Sequence, residues 1–256
     1  MKGTSFQNGI EFKISIEGES WVQGSLISGT IEAIARNPGT IVPELQVLIA
    51  DASEKKVKLK SKGAFEVIER AAFKGSPASW KFTLPIDARL TDKSGNLYVL
   101  YGPVKGIAEG PETTELHHLG QLKLNILPHP HLQDFLEVIK VNFRFVPKST
   151  NAGKDNTVDA KFDSPAGKDW ASLEYLLVSL KMNANDKISS KFQFCRSDID
   201  PTKGGLSAIS TKREIIKEFE LAQFIHEFNQ RLNKEAIAVV IEAVIAEYRS
   251  AGWLAS

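Results

Sequence analysis

The sequence predicts a mainly β protein in three parts: a β-sandwich over residues 1–147, a short second β portion over 158–210 and a C-terminal α-helical hairpin over 211–256. Three observations support this fold class. Short stretches of alternating apolar and polar residues recur through the first part. A polar segment rich in structure-breaking residues, 147–157, is typical of a linker. Residues 211–248 contain neither glycine nor proline, which favours helices there.

The strands of the first part are separated by turn signals. Every second residue from Ile10 to Ile16 is apolar, which predicts a strand with one buried and one solvent-exposed face. Asn37-Pro38-Gly39 and Gly75-Ser76-Pro77 are turn signals. Because no long helical pattern interrupts these strands, a sandwich is favoured over a parallel α/β sheet. Further strands are predicted over 26–35, 45–49, 57–59, 65–73, 80–84, 97–108, 119–127 and 138–146.

The second β portion is shorter and less regular. Residues 158–162 predict a strand, whereas the apolar stretch 173–182 fits either a helix or a strand. Residues 188–195 alternate, and Asn183-Ala184-Asn185-Asp186 supplies residues that tolerate positive φ, so 173–195 also fits a β-hairpin. Residues 198–210 are predicted to form a loop.

The C-terminal part has the pattern of two helices. Thr211 followed by Glu214 fits a capping box, and Asn233 with Lys234 marks a break or a cap. Residues 236–241 are apolar all round a helix, which requires burial on more than one side. That burial comes either from packing within the chain or from a partner, including a homodimer. The candidate interaction residues of this part are Phe219, Phe224, Phe228, Ile237, Ile241 and Val244.

Composition and charge exclude several function classes. The 256 residues carry 32 Lys and Arg against 31 Asp and Glu, a net charge of +1, so no overall attraction to nucleic acid is expected. No stretch of 18 apolar residues occurs, so no transmembrane segment is predicted. Cys195 is the single cysteine and is interpreted as a small core residue. We expect a cytoplasmic protein.

Two clusters of chemically active residues stand out. His129-Pro130-His131 places two imidazoles close together, with Asp134 and Glu137 nearby, so the two histidines are either zinc ligands or solvated loop residues. Alternating lysines form the second cluster. In a strand they would share one face, either as a solvated edge strand or as a patch that binds anions or anionic lipid. These lysines are Lys56, Lys58, Lys60 and Lys62.

Signatures of catalysis and of cofactor binding are missing from the sequence. There is no G-x-S-x-G motif, and Gly204-Gly205 lacks the glycine or lysine of a phosphate-binding loop. We therefore predict no cofactor and no enzymatic activity.

Two phrases of the first part are similar to a known superfamily. Residues 22–31 read VQGSLISGTI, a glycine turn before a strand that itself contains a glycine. Residues 80–106 read WKFTLPIDARLTDKSGNLYVLYGPVKG, an aromatic strand that ends in Leu-Pro, then a polar loop, a glycine and a long strand. Both resemble the N-terminal sandwich of arrestin-like proteins, nearest to the bacterial sporulation-control, Spo0M-like group.

The resemblance implies a non-catalytic adaptor or regulatory scaffold that binds an unknown protein partner through strand edges and loops. It covers residues 5–146, and the chain departs from full arrestin-like proteins because only residues 158–207 remain for a second sandwich. The charged core of visual arrestins has no residue-by-residue match here. The alternatives are a ligand-binding or hydrolytic enzyme with a site between the two β portions, and a peripheral binder of anionic lipid.

Overall fold

The computed structural model describes residues 1–92, 95–104, 116–199, 208–226 and 231–250. The chain divides into two compact units, Met1–Leu127 and Pro128–Ser256. The division lies before the predicted boundary at residue 147, because the segment that follows Leu127 forms a helix of the second unit.

The described part of the first unit is built from strands. In chain order these are β1 (Lys2–Gln7), β2 (Ile10–Ile16), β3 (Trp21–Val22), β4 (Leu26–Ala35), β5 (Leu45–Ser53), β6 (Phe65–Phe73), β7 (Ala78–Thr83), β8 (Gly95–Pro103), β9 (Gly120–Lys123) and β10 (Ile126–Leu127). A short helix, α1 (Glu54–Lys58), follows β5, and a 3-10 turn spans Leu116–His118. The predicted strands 10–16, 26–35 and 65–73 are confirmed with the same bounds.

Two four-stranded antiparallel sheets form the sandwich, in the orders β1-β2-β4-β7 and β6-β5-β8-β9, and β3 pairs with β10 in parallel. Their inner faces carry the alternating apolar residues, among them Phe12, Ile31 and Val47. Tyr101 of β8 packs so closely against β1 and β9 that a Cβ on Gly3 or Gly120 would lie within 2.7 Å of it. Glycines at these two positions therefore let the sheets approach at this edge.

Strand β5 is buried on both faces, and α1 helps to cover its outer face. Leu48, Ala50 and Ala52 point away from the other sheet and form a second apolar cluster with Phe65 and Leu116. Val57 of α1 packs against this cluster. The predicted strand over 57–59 is therefore wrong: the segment forms a helical turn because one apolar side chain covers the outer face of β5.

Two further strand predictions of the first unit have different outcomes: one is corrected by the structure, and the other extends beyond the described residues. The strand predicted over 119–127 is two separate strands, β9 and β10, which join different partners. Strand β8 ends at Pro103, and residues 105–115, onto which the prediction over 97–108 extends, lie outside the described residues.

The second unit combines one sheet with two helices. Its elements are α2 (Pro130–Phe143), β11 (Val146–Ala152), β12 (Val158–Asp163), β13 (Leu173–Met182), β14 (Lys187–Ile199), β15 (Ala208–Glu220) and α3 (Lys234–Ser250), with 3-10 turns at Lys154–Asn156, Lys168–Trp170 and Leu221–Phe224. The strands form one antiparallel sheet in the order β11-β12-β13-β14-β15. The predicted hairpin is confirmed, and Asp186 in its turn has φ 57°.

The predicted helical hairpin over 211–256 is wrong in its first half. Residues 208–220 form β15, which pairs with β14 along its whole length. Ile215 and Phe219 lie on the face of this strand that the helices cover, and pairing with β14 satisfies the backbone without a helix. The second half is helical, and Asn233 caps α3 by accepting hydrogen bonds from the backbone N–H groups of Glu235 and Ala236.

The strand predicted over 138–146 is also wrong, because residues 130–143 form α2. Pro130 occupies the first turn, and Leu132, Phe135 and Ile139 lie on one buried helical face. The predicted linker 147–157 is the edge strand β11 followed by a 3-10 turn. Its side chains are mostly exposed, which explains its polar composition.

Candidate interaction surface

One face of the second unit's sheet is apolar and lies beneath both helices. The ring centroid of Phe135 in α2 lies 6.5 Å from that of Phe192 and 6.0 Å from that of Phe219. Phe194 stacks on Tyr248 of α3 with centroids 4.1 Å apart. These residues occupy alternate positions of β14 and β15, so both helices cover the same face.

The opposite face is polar, and we call it the open face. It is formed by the odd-numbered residues 159–163, 175–181 and 187–193 and the even-numbered residues 212–220. One row across the strands illustrates its chemistry. The register places Asp159 opposite Ser179, Ser179 opposite Lys191, and Lys191 opposite Ile216. A negative, a hydroxyl, a positive and an apolar side chain thus lie side by side.

A groove of about 560 Å³ lies on the open face. At its acidic end the hydroxyl of Thr157 donates a hydrogen bond to Oδ1 of Asp159 at 2.8 Å. Asp155 stands in the turn before β12 with φ 58°. The described residues that line the groove are Asp155, Thr157, Asp159, Ser179, Lys181, Ser189, Ser190, Lys191 and Ile216.

Two lysines of the groove differ in their charge environment. Lys191 Nζ lies 2.7 Å from Oε1 of Glu214, and this contact, with a hydrogen bond donated by Gln193, lowers the pKa of Glu214. Lys181 has no carboxylate oxygen within 4.0 Å among the described residues. Lys181 is thus a half-buried cation whose charge is available to a bound carboxylate.

An exposed isoleucine lies at the basic end of the same groove. Ile216 is 70% exposed, although it stands in a regular strand between Ile215, which is buried, and Lys217. On β14 and β15 around it, charged pairs such as Lys187 with Glu218 keep the surface polar. An exposed apolar side chain within a polar groove gives a partner a site for an apolar contact.

Comparison with solved structures identifies a similar protein. The crystal structure of Spo0M, a sporulation control protein from Bacillus subtilis, matches with a TM-score of 0.50 at 13% sequence identity, over 94% of this chain and 100% of that chain. The fold resembles that of Spo0M. The resemblance predicted from residues 22–31 and 80–106 is confirmed at the level of the fold. No family model and no curated protein matches the sequence.

A helix that crosses a bilayer must be both long and apolar. None of the helices among the described residues is both long enough and apolar enough to cross a bilayer.

The candidate interaction residues of the C-terminal part lie in the core of the second unit. Phe224, Ile237, Ile241 and Val244 are at most 1% exposed. Phe219 packs against Phe135 and Phe224 beneath the helices. These contacts place Phe224, Ile237, Ile241 and Val244 in the packing of the second unit, whereas Phe219 is half-buried. Phe228 lies outside the described residues.

His129 is the N-cap of α2 and His131 lies in its first turn, and both side chains are half-buried. The backbone N–H of His131 donates to Nδ1 of His129 at 3.3 Å, and the ring centroids are 4.5 Å apart. Burial lowers the pKa of both imidazoles. The nearby carboxylates of Asp134 and Glu137 lie against lysines. The described residues hold no group of three or more His, Cys, Asp or Glu side chains placed to bind a metal ion.

The four candidate lysines do not share the face of a strand. Lys56 and Lys58 belong to α1, while Lys60 and Lys62 follow it in a turn. All four side chains are exposed, and Lys58 forms an ion pair with Glu54 at 3.7 Å.

Sequence reasoning missed the open face. The period-two alternation of 175–181 and 187–193 marks one polar face on each strand. The register that brings Asp159, Lys191 and Ile216 into one row depends on pairing across four strands, which the alternation does not specify.

Proposed function

We propose that this protein is a non-catalytic regulatory adaptor that binds a protein partner on the open face of the second unit. The observation that carries the proposal is that both helices cover one face of the sheet, while the other presents a groove of about 560 Å³.

The chemistry of the groove favours a polypeptide. It offers a cation at Lys181 that has no carboxylate partner among the described residues, two acidic groups at Asp155 and Asp159, and an apolar contact at Ile216. A peptide segment with charged and apolar side chains complements such a mixture. The described lining contains no histidine and no cysteine, the groups most often used as a general base or a thiol nucleophile.

The similarity to Spo0M supports a regulatory role. That protein is described as a sporulation control protein, and the similarity to it extends over nearly the whole chain. By analogy of fold, control through binding is the function we assign here.

The experiment begins with capture of a partner from native lysate by the full chain, followed by titration of the purified partner. Ile216→Asp places a charge in the groove, and we expect it to weaken binding at least about tenfold, the effect of losing one well-placed contact. Val141→Asp is the matched control, since Val141 is 61% exposed on α2, which packs on the other face. Both variants should keep the wild-type circular dichroism spectrum, because both residues are exposed.

Two results would contradict the proposal. Equal affinity of the wild type and Ile216→Asp would exclude the open face as the binding surface. Failure of the full chain to recover any specific partner would count against the adaptor function itself.

A further inference from the structure

The segment Glu54–Gly63 between β5 and β6, which we call the lysine loop, carries the densest positive charge among the described residues. It contains five exposed lysines and one acidic residue, Glu54. The lysines are Lys55, Lys56, Lys58, Lys60 and Lys62.

The single acidic residue does not neutralise the loop. Glu54 forms ion pairs with Lys123 of β9 and, at 3.7 Å, with Lys58. These contacts lower the pKa of the Glu54 carboxyl. Lys55, Lys60 and Lys62 have no carboxylate oxygen within 4.0 Å among the described residues. Their charges are therefore free to meet an external anion.

An exposed apolar side chain stands among these lysines. Leu59 is 67% exposed, whereas Val57, two residues earlier, packs into the apolar cluster on β5. The loop thus has an inward apolar residue that anchors it and an outward one that contacts little of the protein.

The backbone of the loop is held in place. Leu59 N–H bonds to Lys55 O, and Ser61 N–H bonds to Lys56 O. Nε2 of His117 lies 3.0 Å from the carbonyl oxygen of Ser61, and Lys60 adopts φ 47°. The backbone that carries Leu59 and the lysines is therefore already ordered before binding, which removes the cost of ordering it.

We propose that the lysine loop binds the surface of an anionic membrane, with Leu59 entering the interfacial region and the lysines contacting phosphate groups of the lipids. Basic side chains near an anionic bilayer and an apolar side chain that inserts are two complementary contributions to peripheral binding. The inference is independent of the adaptor function, since it concerns a different surface and a different ligand.

Nucleic acid is the less favoured anion. Residues 54–63 contain no arginine and no aromatic side chain, the groups that read base edges and stack on bases. An exposed leucine gains nothing from a phosphate backbone in water, but it gains from transfer into the lipid interface.

The test is co-sedimentation of the full chain with vesicles of phosphatidylcholine and phosphatidylglycerol, compared with vesicles of phosphatidylcholine alone. We expect binding to the anionic vesicles only, weakened by added salt. Replacing Lys55, Lys56, Lys60 and Lys62 with glutamine should lower the partition coefficient about fivefold for each lysine. The matched control replaces Lys2, Lys74, Lys81 and Lys168, which are exposed elsewhere, and should bind within about twofold of the wild type.

The contribution of the leucine is tested separately. Leu59→Ala should lower the partition coefficient about tenfold, whereas Ile41→Ala, at an 88% exposed position of the same unit, should leave it unchanged. Equal losses from the two lysine sets, or binding to neutral vesicles as strong as to anionic ones, would overturn the proposal. Binding of double-stranded DNA or RNA that depends on the loop lysines, without vesicle binding, would replace it with a nucleic-acid site.

Discussion

Gly29 occupies a position in β4 where a side chain has no room. A Cβ built on it would lie 2.1 Å from the carbonyl oxygen of Ser15 in β2 and 2.8 Å from Cζ2 of Trp80 in β7. The nearer atom belongs to the backbone, so rotation of a side chain cannot relieve the contact. Gly29→Ala therefore forces β2 and β4 apart in the middle of the first sheet.

The expected destabilisation follows from two opposing effects. Overpacking of a close-packed core costs about 1–3 kcal/mol, and a contact of this length with backbone places the cost near the upper end. Alanine recovers about 0.5–1 kcal/mol relative to glycine within a strand, because the unfolded chain loses less entropy. We expect the free energy of unfolding to fall by about 2 kcal/mol, which lowers the Tm by about 4–8 °C.

Thermal unfolding followed by circular dichroism measures this effect, with Gly75→Ala as the control. A Cβ at Gly75 would meet no atom within 4 Å, so the Tm of that variant should shift by no more than about 1–2 °C. If Gly29→Ala also shifts the Tm by no more than about 1–2 °C from that of the wild type, the argument that the close approach of β2 requires glycine here is refuted. Equal destabilisation by both variants would show that the loss is unrelated to the Ser15 contact.

Three further predictions concern the second unit. Asn233→Ala removes the acceptor of two backbone N–H groups at the start of α3 and should cost about 1 kcal/mol in urea unfolding, while Asn233→Asp should retain most of the stability. Because burial lowers the pKa of His129 and His131, the unfolded state binds more protons, so stability should fall as the pH drops below their ordinary pKa of about 6.5. In the variant with both histidines replaced by glutamine, the midpoint of urea unfolding should depend less on pH than in the wild type. The same pH dependence in both proteins would contradict this prediction. Ile241→Asp should unfold the second unit, whereas Val239→Asp, 66% exposed on the same helix, should not. A halved mass of Val239→Asp in light scattering would instead reveal a homodimer through α3.

Local alternation predicted the strands of the sandwich because it records burial directly. Residues 10–16 and 26–35 alternate since each strand turns one face to the core, and turn residues bound both segments. These strands could therefore be located from the sequence alone.

The errors arose where two periods fit the same residues. In α2, Val138 and Ile139 lie on the buried helical face with Phe135, and the neighbouring apolar Val141 points to solvent. Apolar and polar residues therefore alternate over part of 138–146, as they would in a strand, although the segment up to residue 143 is helical. In β15, the absence of glycine and proline suggested a helix, but long-range pairing with β14 decided the conformation.

The two units use polar residues differently, and this bears on how binding can be tested. Strand β5 is buried on both faces, so almost any polar substitution there acts on the core. Strands β13 and β14 bury only one face, and the fold does not require the particular side chains of Ser179, Lys181 or Lys191 on the other. Because exposed positions tolerate substitution at a cost within about 0.5 kcal/mol, a variant of the open face that loses a partner can be distinguished from one that has merely lost its fold. The alternation of buried and exposed residues did not reveal the groove. It does mean that side chains of the groove can be replaced without changing the buried face that stabilises the sheet.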